Sequence, residues 1–177
     1  MLKWVLIVLV ALFLLVALVA VIGALLPKGH VASVRARYKK PPPGVWQAIT
    51  EVERFAEWRP DVKKVEVLPP TGDGHAVYRE IGRHGPLTLE VVASEKERRY
   101  VTRTADEKLP FGGTWTWEIE ATPDGSAVRI TEDGEIYNPL FRFLARFVFG
   151  YTGTMETYLR DLGKKFGEDV TPEAVAG

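Results

Sequence analysis

The sequence of 177 residues has no cysteine, only three histidines and no net charge. Without cysteine the chain forms no disulfide, no cysteine-ligated zinc site and no bacterial-type lipid link at its N-terminus. Acidic and basic residues number 23 each, which argues against nucleic-acid binding because that function usually requires a basic excess. A hydrophobic share of 46% excludes a disordered chain. These absences leave a globular domain combined with one long hydrophobic run.

Motifs for common catalytic and cofactor sites are also missing. There is no G-x-S-x-G, no phosphate-binding loop and no dinucleotide fingerprint. No two of His30, His75 and His84 have the i, i+4 spacing of helical metal ligands. His75 and His84 flank a predicted hairpin and could lie close together, or they could simply be solvated turn residues. We therefore predict neither a metal ion nor a cofactor.

The hydrophobic run covers residues 4–26 without a charged side chain. As a helix it would be about 35 Å long, enough to cross a hydrocarbon core of about 30 Å. The alternative is a cleaved signal peptide, but its hydrophobic region is usually about 7–15 residues long, and no clear A-x-A cleavage site follows here. We predict a single transmembrane helix within residues 1–27.

Basic residues are unequally distributed around this helix. Lys3 precedes it, and five basic residues follow it closely: Lys28, Arg35, Arg37, Lys39 and Lys40. The positive-inside rule then places the soluble domain in the cytoplasm as part of a single-pass membrane protein. If residues 35–40 belong to a folded strand, however, they are poor topology signals.

The soluble part, residues 28–167, has the pattern of an antiparallel β domain, followed by a flexible tail at residues 168–177. A first strand is predicted at residues 30–38, and two short helices then end at Pro60. Alternating residues and turn motifs then predict six further strands. They cover residues 62–68, 76–81, 87–94, 99–105, 114–121 and 128–137.

A long helix is predicted to follow Asn138 and Pro139, with a hydrophobic stripe that continues to Phe166. It is the one element long enough to cover the apolar face of the sheet. The fold class is therefore α+β, a helix-grip fold of order β-α-α-β6-α after the transmembrane helix. A curved sheet closed by one helix often leaves a cavity between them.

Three segments carry a resemblance to a known superfamily. They are VWQAITEVERFAEWRPDVKKVEVL at residues 45–68, LPFGGTWTWEIE at 109–120 and ITEDGEIYNPLFRFLARFVFG at 130–150. With them, residues 30–166 resemble the SRPBCC or START-like superfamily, within it the polyketide cyclase/dehydrase-like group with lipid carriers among its relatives. The resemblance implies the helix-grip fold and is weak for activity, because that fold hosts carriers, receptors and enzymes.

A ligand cavity needs aromatic walls and a few buried polar groups. Trp115 and Trp117 share the strand face that should point toward the last helix, although they could simply be core residues. Strand alternation suggests that Arg103 and Glu132 also face the cavity, unless a bulge at Asp133 and Gly134 turns Glu132 to solvent. Three further residues complete the predicted lining: Tyr78, Phe147 and Tyr151.

A second group of residues is predicted to form the cavity mouth and to face the membrane. Phe141 and Phe149 lie off the main helix stripe, and Phe111 belongs to an apolar loop that the superfamily's fold brings nearby. Arg142 and Arg146, one turn apart, could meet lipid phosphates. The alternative is that the aromatic residues are buried against the loop.

The sequence thus predicts membrane-anchored, non-catalytic binding of a hydrophobic small molecule or lipid. One alternative is a cyclase/dehydratase-type enzyme on a polyketide-like substrate, for which Glu132 and Tyr78 are the candidate acid and base. Another is a tethered protein-interaction module whose cavity is filled by side chains. The oligomeric state is not predicted.

Overall fold

The computed structural model describes residues 1–83, 85–106 and 108–175. Eight antiparallel strands form one curved sheet in the order β2-β3-β4-β5-β6-β7-β1-β8. The strands are β1 (Gly29–Tyr38), β2 (Val62–Leu68), β3 (Val77–Gly82), β4 (Gly85–Glu95), β5 (Arg99–Thr104), β6 (Phe111–Thr122), β7 (Gly125–Ile136) and β8 (Glu173–Val175). The predicted α+β helix-grip architecture is confirmed, and all seven predicted strands are present.

Helices lie before, within and after the sheet. They are α1 (Leu2–Leu25), α2 (Pro42–Thr50), a 3₁₀ helix (Val52–Glu57), α3 (Pro139–Leu144), a π turn (Ala145–Phe149) and α4 (Gly153–Lys165). The core forms where α4 and α2 cover the concave face of the sheet. Met155, Leu159 and Leu162 of α4 are fully buried there.

The predicted continuous C-terminal helix is interrupted. Its backbone leaves helical geometry at Gly150, whose φ of 73° favours glycine, and α4 starts afresh at Gly153. The apolar stripe continues across this break, but only α4 lies over the sheet. α3 instead contacts α1, so the two halves of the predicted helix have different partners.

Helix α1 has 24 residues and is long and apolar enough to cross a membrane. Near its C-terminal end it packs closely on α3, and a Cβ added at Gly23 would collide with the carbonyl oxygen of Pro139. Arg142 of α3 donates from Nη1 to the carbonyl oxygen of Leu26 at 2.8 Å. A cationic side chain at a helix C-terminus is electrostatically favourable, so this contact fixes α3 beside α1.

The segment after residue 167, which we predicted to be a flexible tail, contributes β8. Residues Ser33–Arg35 of β1 pair with this strand in antiparallel register. The outer edge of β1 offers unpaired backbone groups, and pairing them explains why a polar tail lies on the sheet. In β7, the predicted alternative of a bulge at Asp133 and Gly134 is wrong, because β6 and β7 pair without any register shift.

Candidate functional site

A large cavity lies between the concave face of the sheet and α4. Its volume is about 760 Å³. Ligand-binding pockets are typically about 300–1,000 Å³. Side chains from β3, β4, β5, β6 and β7 form one wall, and α4 with the residues before it forms the other. The cavity therefore exists because the sheet is curved and the single helix α4 crosses its concave face at a distance from the strands.

The floor of the cavity is aromatic. Trp115 and Trp117 of β6 lie on the same face, and Tyr158 of α4 contacts both, with ring centroids 6.2 Å and 5.8 Å away. In the sheet, Tyr100 pairs directly with Trp117, and Thr102 pairs with Trp115. Directly paired residues share a face, so both of these β5 side chains also line the cavity. The wide aromatic surface suits a hydrophobic occupant.

One end of the cavity holds a buried ion pair. Arg59, which follows the 3₁₀ helix, donates from Nη1 to Glu80 of β3 at 2.7 Å and from Nη2 to Asp61 at 3.0 Å. The guanidinium lies 5.2 Å from the ring centres of Phe55 and Tyr158, which adds cation–π contacts. These contacts hold the charged groups in place against an otherwise apolar wall.

Burial controls the protonation of the groups around this ion pair. Desolvation raises the pKa of Glu80, and the opposing effect of Arg59 does not cancel it. Desolvation also raises the pKa of Tyr100 to about 12 and the pKa values of Tyr78 and Tyr158 above their usual range. These phenols are therefore neutral hydrogen-bond donors at physiological pH.

A second polar group lies on the β1–β7 side of the cavity. His30 Nε2 is 3.5 Å from Oε1 of Glu132, and the His30 ring stacks on Tyr151 with centroids 4.1 Å apart. All three residues line the cavity. Glu132 pairs directly with Trp115 in the sheet, which places the carboxylate beside the aromatic floor.

The predicted cavity lining agrees in part with the structure. Trp115, Trp117, Glu132, Tyr78 and Tyr151 all line the cavity. Phe147 of the π turn does not; its side chain is largely exposed and packs on Phe143 with ring centroids 4.9 Å apart.

The predicted inward position of Arg103 is wrong. This side chain is more than half exposed and donates from Nη2 to Glu90 at 2.7 Å. The apolar neighbours Val101 and Ala105 suggested the inward face. The register decides otherwise, because Thr102 pairs with Trp115 and therefore takes the inward face. Arg103 and Glu132 consequently lie on opposite faces of the sheet.

The predicted mouth residues also divide into two groups. Phe111, Phe141 and Phe149 line the outer part of the cavity and are each more than two-fifths exposed. Arg146 is exposed. Arg142 is not a surface residue as predicted, because it is 8% exposed and bound to the end of α1. We refer to Phe111, Phe141 and Phe149 as the apolar rim.

The sequence did not predict that Arg59 and Glu80 line the cavity. Glu80 has the same strand parity as Tyr78, and that alternation is the signal that could have placed it in the cavity. For Arg59, which lies in an irregular segment, no periodicity indicates a direction. Among residues 1–83, 85–106 and 108–175 no group of three or more metal-ligating side chains occurs. His84, considered above with His75, lies outside the described residues.

Comparison of this domain with solved structures finds the same fold in several proteins. One is a START superfamily protein from Mycobacterium smegmatis, with 16% identity, a TM-score of 0.58 and coverage of 77% of this chain and 95% of that one. The Zhui aromatase/cyclase from Streptomyces sp. R1128 has 16% identity, a TM-score of 0.55 and coverage of 76% and 88%. Norcoclaurine synthase from Thalictrum flavum has 9% identity, a TM-score of 0.58 and coverage of 80% and 89%.

At these identities the structural likeness shows the fold alone. Among proteins with curated descriptions, none matches the sequence significantly. A family described as polyketide cyclase/dehydrase and lipid transport matches residues 30–167, which is most of the chain and covers the helix-grip domain from β1 to α4. The protein therefore belongs to the polyketide cyclase/dehydrase and lipid transport family.

Proposed function

We propose that this protein is a single-pass membrane protein whose domain binds a hydrophobic small molecule or lipid between the sheet and α4. The observation that carries this proposal is the cavity of about 760 Å³ with its aromatic floor. Burial of an apolar ligand there contributes about 25 cal/mol per Å² of apolar surface removed from water. Membership of a family that includes lipid transport supports the same class of ligand.

The position of α3 supports a membrane-anchored role. Pro139 lies against Gly23, two residues before α1 ends at Leu25. If α1 spans the bilayer, α3 and the π turn lie at the depth of the membrane surface. Phe147, Val148 and Phe149 are each about 60–70% exposed in the structure, so lipid would cover them. The apolar rim then opens toward the bilayer, and a ligand can enter without crossing water.

The open cavity also helps to decide between the two alternative functions that the sequence suggested. A protein-interaction module with a filled cavity is not proposed, because the space is open. The cyclase/dehydratase alternative stays a second candidate, because Glu132 and His30 provide a carboxylate and an imidazole 3.5 Å apart inside the cavity. Binding without chemistry remains our proposal, since the buried ion pair in the cavity, Arg59 with Glu80, is internally satisfied.

Organic extracts of the purified full chain and of its Glu132→Gln variant distinguish these functions. For binding alone, we expect mass spectrometry to find the same hydrophobic compound with both proteins, because Gln preserves the shape of the cavity. A dehydratase would instead leave the variant loaded with a precursor that is heavier by one water than the compound on the wild type. If no hydrophobic compound co-purifies with either chain, the binding proposal is wrong.

The membrane position of the π turn can be tested with single cysteines, because the chain has none of its own. We expect an NBD fluorophore on Val148→Cys in proteoliposomes to be quenched strongly by nitroxide-labelled lipids. Asp124→Cys is the control, because Asp124 lies beyond the opposite end of β7, about 35 Å along that strand from α3. Equal quenching at the two sites would contradict the proposed orientation.

The asymmetry of basic residues around α1 supports a cytoplasmic location for the domain. Arg35 and Arg37 are part of β1, so the signal depends most on Lys28, Lys39 and Lys40. The same Asp124→Cys chain tests this location in cells. A membrane-impermeant maleimide should label it only after lysis, and labelling of intact cells would place the domain on the outer side.

A further inference from the structure

One carboxylate lies beside the aromatic floor on the concave face of the sheet. Glu132 of β7 pairs directly with Trp115 of β6, so the two side chains share that face. The Glu132 side chain lines the cavity and is 24% accessible. Among residues 1–83, 85–106 and 108–175, the only basic side chain near its carboxylate is His30, with Nε2 at 3.5 Å from Oε1. This distance is longer than a hydrogen bond of about 2.7–3.2 Å.

A glycine in the middle of β7 makes room for these two side chains. Gly134 pairs directly with His30 of β1. A Cβ added at Gly134 would lie 2.6 Å from Cε1 of His30 and 2.9 Å from Oε1 of Glu132. The φ of Gly134 is outside the left-handed region, so the backbone does not require glycine there. The missing side chain instead leaves space in the cavity wall for the imidazole and the carboxylate.

The imidazole is poorly placed to neutralise this carboxylate. His30 stacks on Tyr151, and its Nδ1 is buried without a hydrogen-bond partner among the described residues. A doubly protonated ring would bury an N–H at Nδ1 without an acceptor, which is unfavourable. The neutral ring with its hydrogen on Nε2 has only a lone pair at Nδ1 and directs its N–H toward Glu132. The charge of Glu132 is therefore left without a cationic partner.

The other charged groups of the cavity do not supply that cation. Arg59 donates to Glu80 and Asp61, and Arg83 lies exposed at the end of the β3–β4 hairpin. The described residues that line the cavity include two arginines, Arg59 and Arg83, and four acidic residues, Asp61, Glu80, Glu132 and Glu135. A cleft with an excess of one charge attracts a ligand of the opposite charge. The cavity thus favours a cationic ligand over an anionic one.

Aromatic rings beside Glu132 suit the same ligand. Trp115 is the directly paired neighbour of Glu132, and the ring of Tyr151 lies on the imidazole of His30. The faces of aromatic rings attract cations, most strongly where water is excluded. An ammonium group can contact such rings and donate a charge-assisted hydrogen bond to the carboxylate. A hydroxyl group can also donate, but it leaves the negative charge of Glu132 uncompensated.

We propose that Glu132, with Trp115 and Tyr151, binds the ammonium group of a hydrophobic amine. The hydrocarbon part of the amine lies along the aromatic floor toward the apolar rim. This inference rests on the proposed function and specifies its ligand class.

Three probes with one aromatic skeleton test this site in the full chain in nanodiscs of zwitterionic lipid. 1-Naphthylmethylamine, 1-naphthylmethanol and 1-naphthoate each carry one substituted carbon on naphthalene, and at neutral pH they are a cation, a neutral molecule and an anion. Each is titrated as a competitor of N-phenyl-1-naphthylamine fluorescence, and empty nanodiscs correct for partition into lipid. The wild type should bind the amine at least about tenfold more tightly than the alcohol.

Glu132→Gln preserves the shape of the side chain and removes its charge. It should weaken binding of the amine at least about tenfold and leave the alcohol within about twofold. Binding of 1-naphthoate should become at least about twofold tighter, because the repulsion by Glu132 is removed. Misfolding would weaken all three probes, so opposite changes for the cation and the anion identify a charge effect in a folded chain. Organic extracts of this variant should accordingly contain the same compound as the wild type in a smaller amount.

Glu118→Gln is the control for the change in net charge. Glu118 lies on the exposed outer face of β6, so this variant loses the same charge without a change in the cavity. All three affinities should stay within about twofold of the wild type. If Glu118→Gln weakens the amine as much as Glu132→Gln does, the effect comes from the overall charge and the ammonium site is wrong.

The outcomes distinguish this inference from the function on which it rests. If N-phenyl-1-naphthylamine binds the wild type but the amine does not displace it more tightly than the alcohol and the anion, the ammonium site is wrong while the hydrophobic cavity is supported. An amine affinity that is unchanged in Glu132→Gln has the same meaning. If neither the dye nor any of the three probes binds the wild type, the proposed function and the ammonium site fail together.

Discussion

Replacing Arg59 with methionine is expected to lower the free energy of unfolding of the full chain by about 3–5 kcal/mol at neutral pH. Arg59 and Glu80 are both largely buried, with their charged atoms 2.7 Å apart. Methionine keeps much of the side-chain volume but removes the cation, so the Glu80 carboxylate is left buried without its partner. This decrease in the free energy of unfolding is the cost of leaving Glu80 unpaired. It is not the net contribution of the intact ion pair to stability.

The loss in Arg59→Met should depend on pH with a definite sign. The pKa of Glu80 is already raised in the folded wild type, so the folded state binds this proton more tightly than the unfolded state does. Stability then falls as pH rises from the unfolded pKa through the folded pKa. Removing Arg59 removes an effect that lowers this pKa, so the variant should be most destabilised at about pH 7.5 and recover part of the loss at about pH 5.

Chemical denaturation of the wild type and the variants in one detergent measures this effect. Arg54→Met is the matched control, since Arg54 lies in the 3₁₀ helix and its partners among the described residues are partly exposed Glu51 and exposed Glu57. It should cause no measurable change. Arg59→Met/Glu80→Gln should recover part of the stability, because no buried charge is then left unpaired; Asp61, the other partner of Arg59, is 45% exposed and stays hydrated. A pH-independent loss, or an equal loss in Arg54→Met, would contradict the role of the buried pair.

Replacing Thr104 with tryptophan is expected to reduce binding of N-phenyl-1-naphthylamine at least about tenfold by filling the cavity. Thr104 is the last residue of β5, pairs with Leu89 and faces the cavity. An indole at this position would occupy part of the cavity volume of about 760 Å³. The affinity is measured by fluorescence titration of the full chain in nanodiscs.

Glu118→Trp is the control for this substitution. Glu118 lies on the exposed outer face of β6, so the same indole is added without entering the cavity. Probe affinity should stay within about twofold of the wild type. If Thr104→Trp binds the probe as tightly as Glu118→Trp does, the probe does not occupy the space between sheet and helix.

Alternation along the strands predicted the fold and much of the aromatic floor. Trp115 and Trp117 stand in a strand that alternates cleanly, and their face was predictable for that reason. In β5 the pattern was ambiguous, because Val101 on the outer face is as buried as Tyr100 on the inner face. There the pairing with β6 determines which side chains enter the cavity, and this pairing is not a local property of β5.

Long-range contacts account for what the sequence did not predict. The stripe from Leu140 to Phe166 has helical spacing throughout, yet Gly150 and Gly153 allow a break that gives α3 and α4 different partners. Arg142 was predicted at the surface, but the end of α1 buries it. Arg59 and Glu80 are 21 residues apart and meet because the 3₁₀ helix packs against β2 and its Phe55 ring contacts Tyr78 of β3.

Native mass spectrometry of the full chain released from nanodiscs tests the central claim most directly. If the cavity binds a hydrophobic molecule, the wild type and Glu118→Trp should each carry one additional mass per chain, and Thr104→Trp should lack it. A wild type without any additional mass, or the same additional mass on Thr104→Trp, would contradict binding between the sheet and α4.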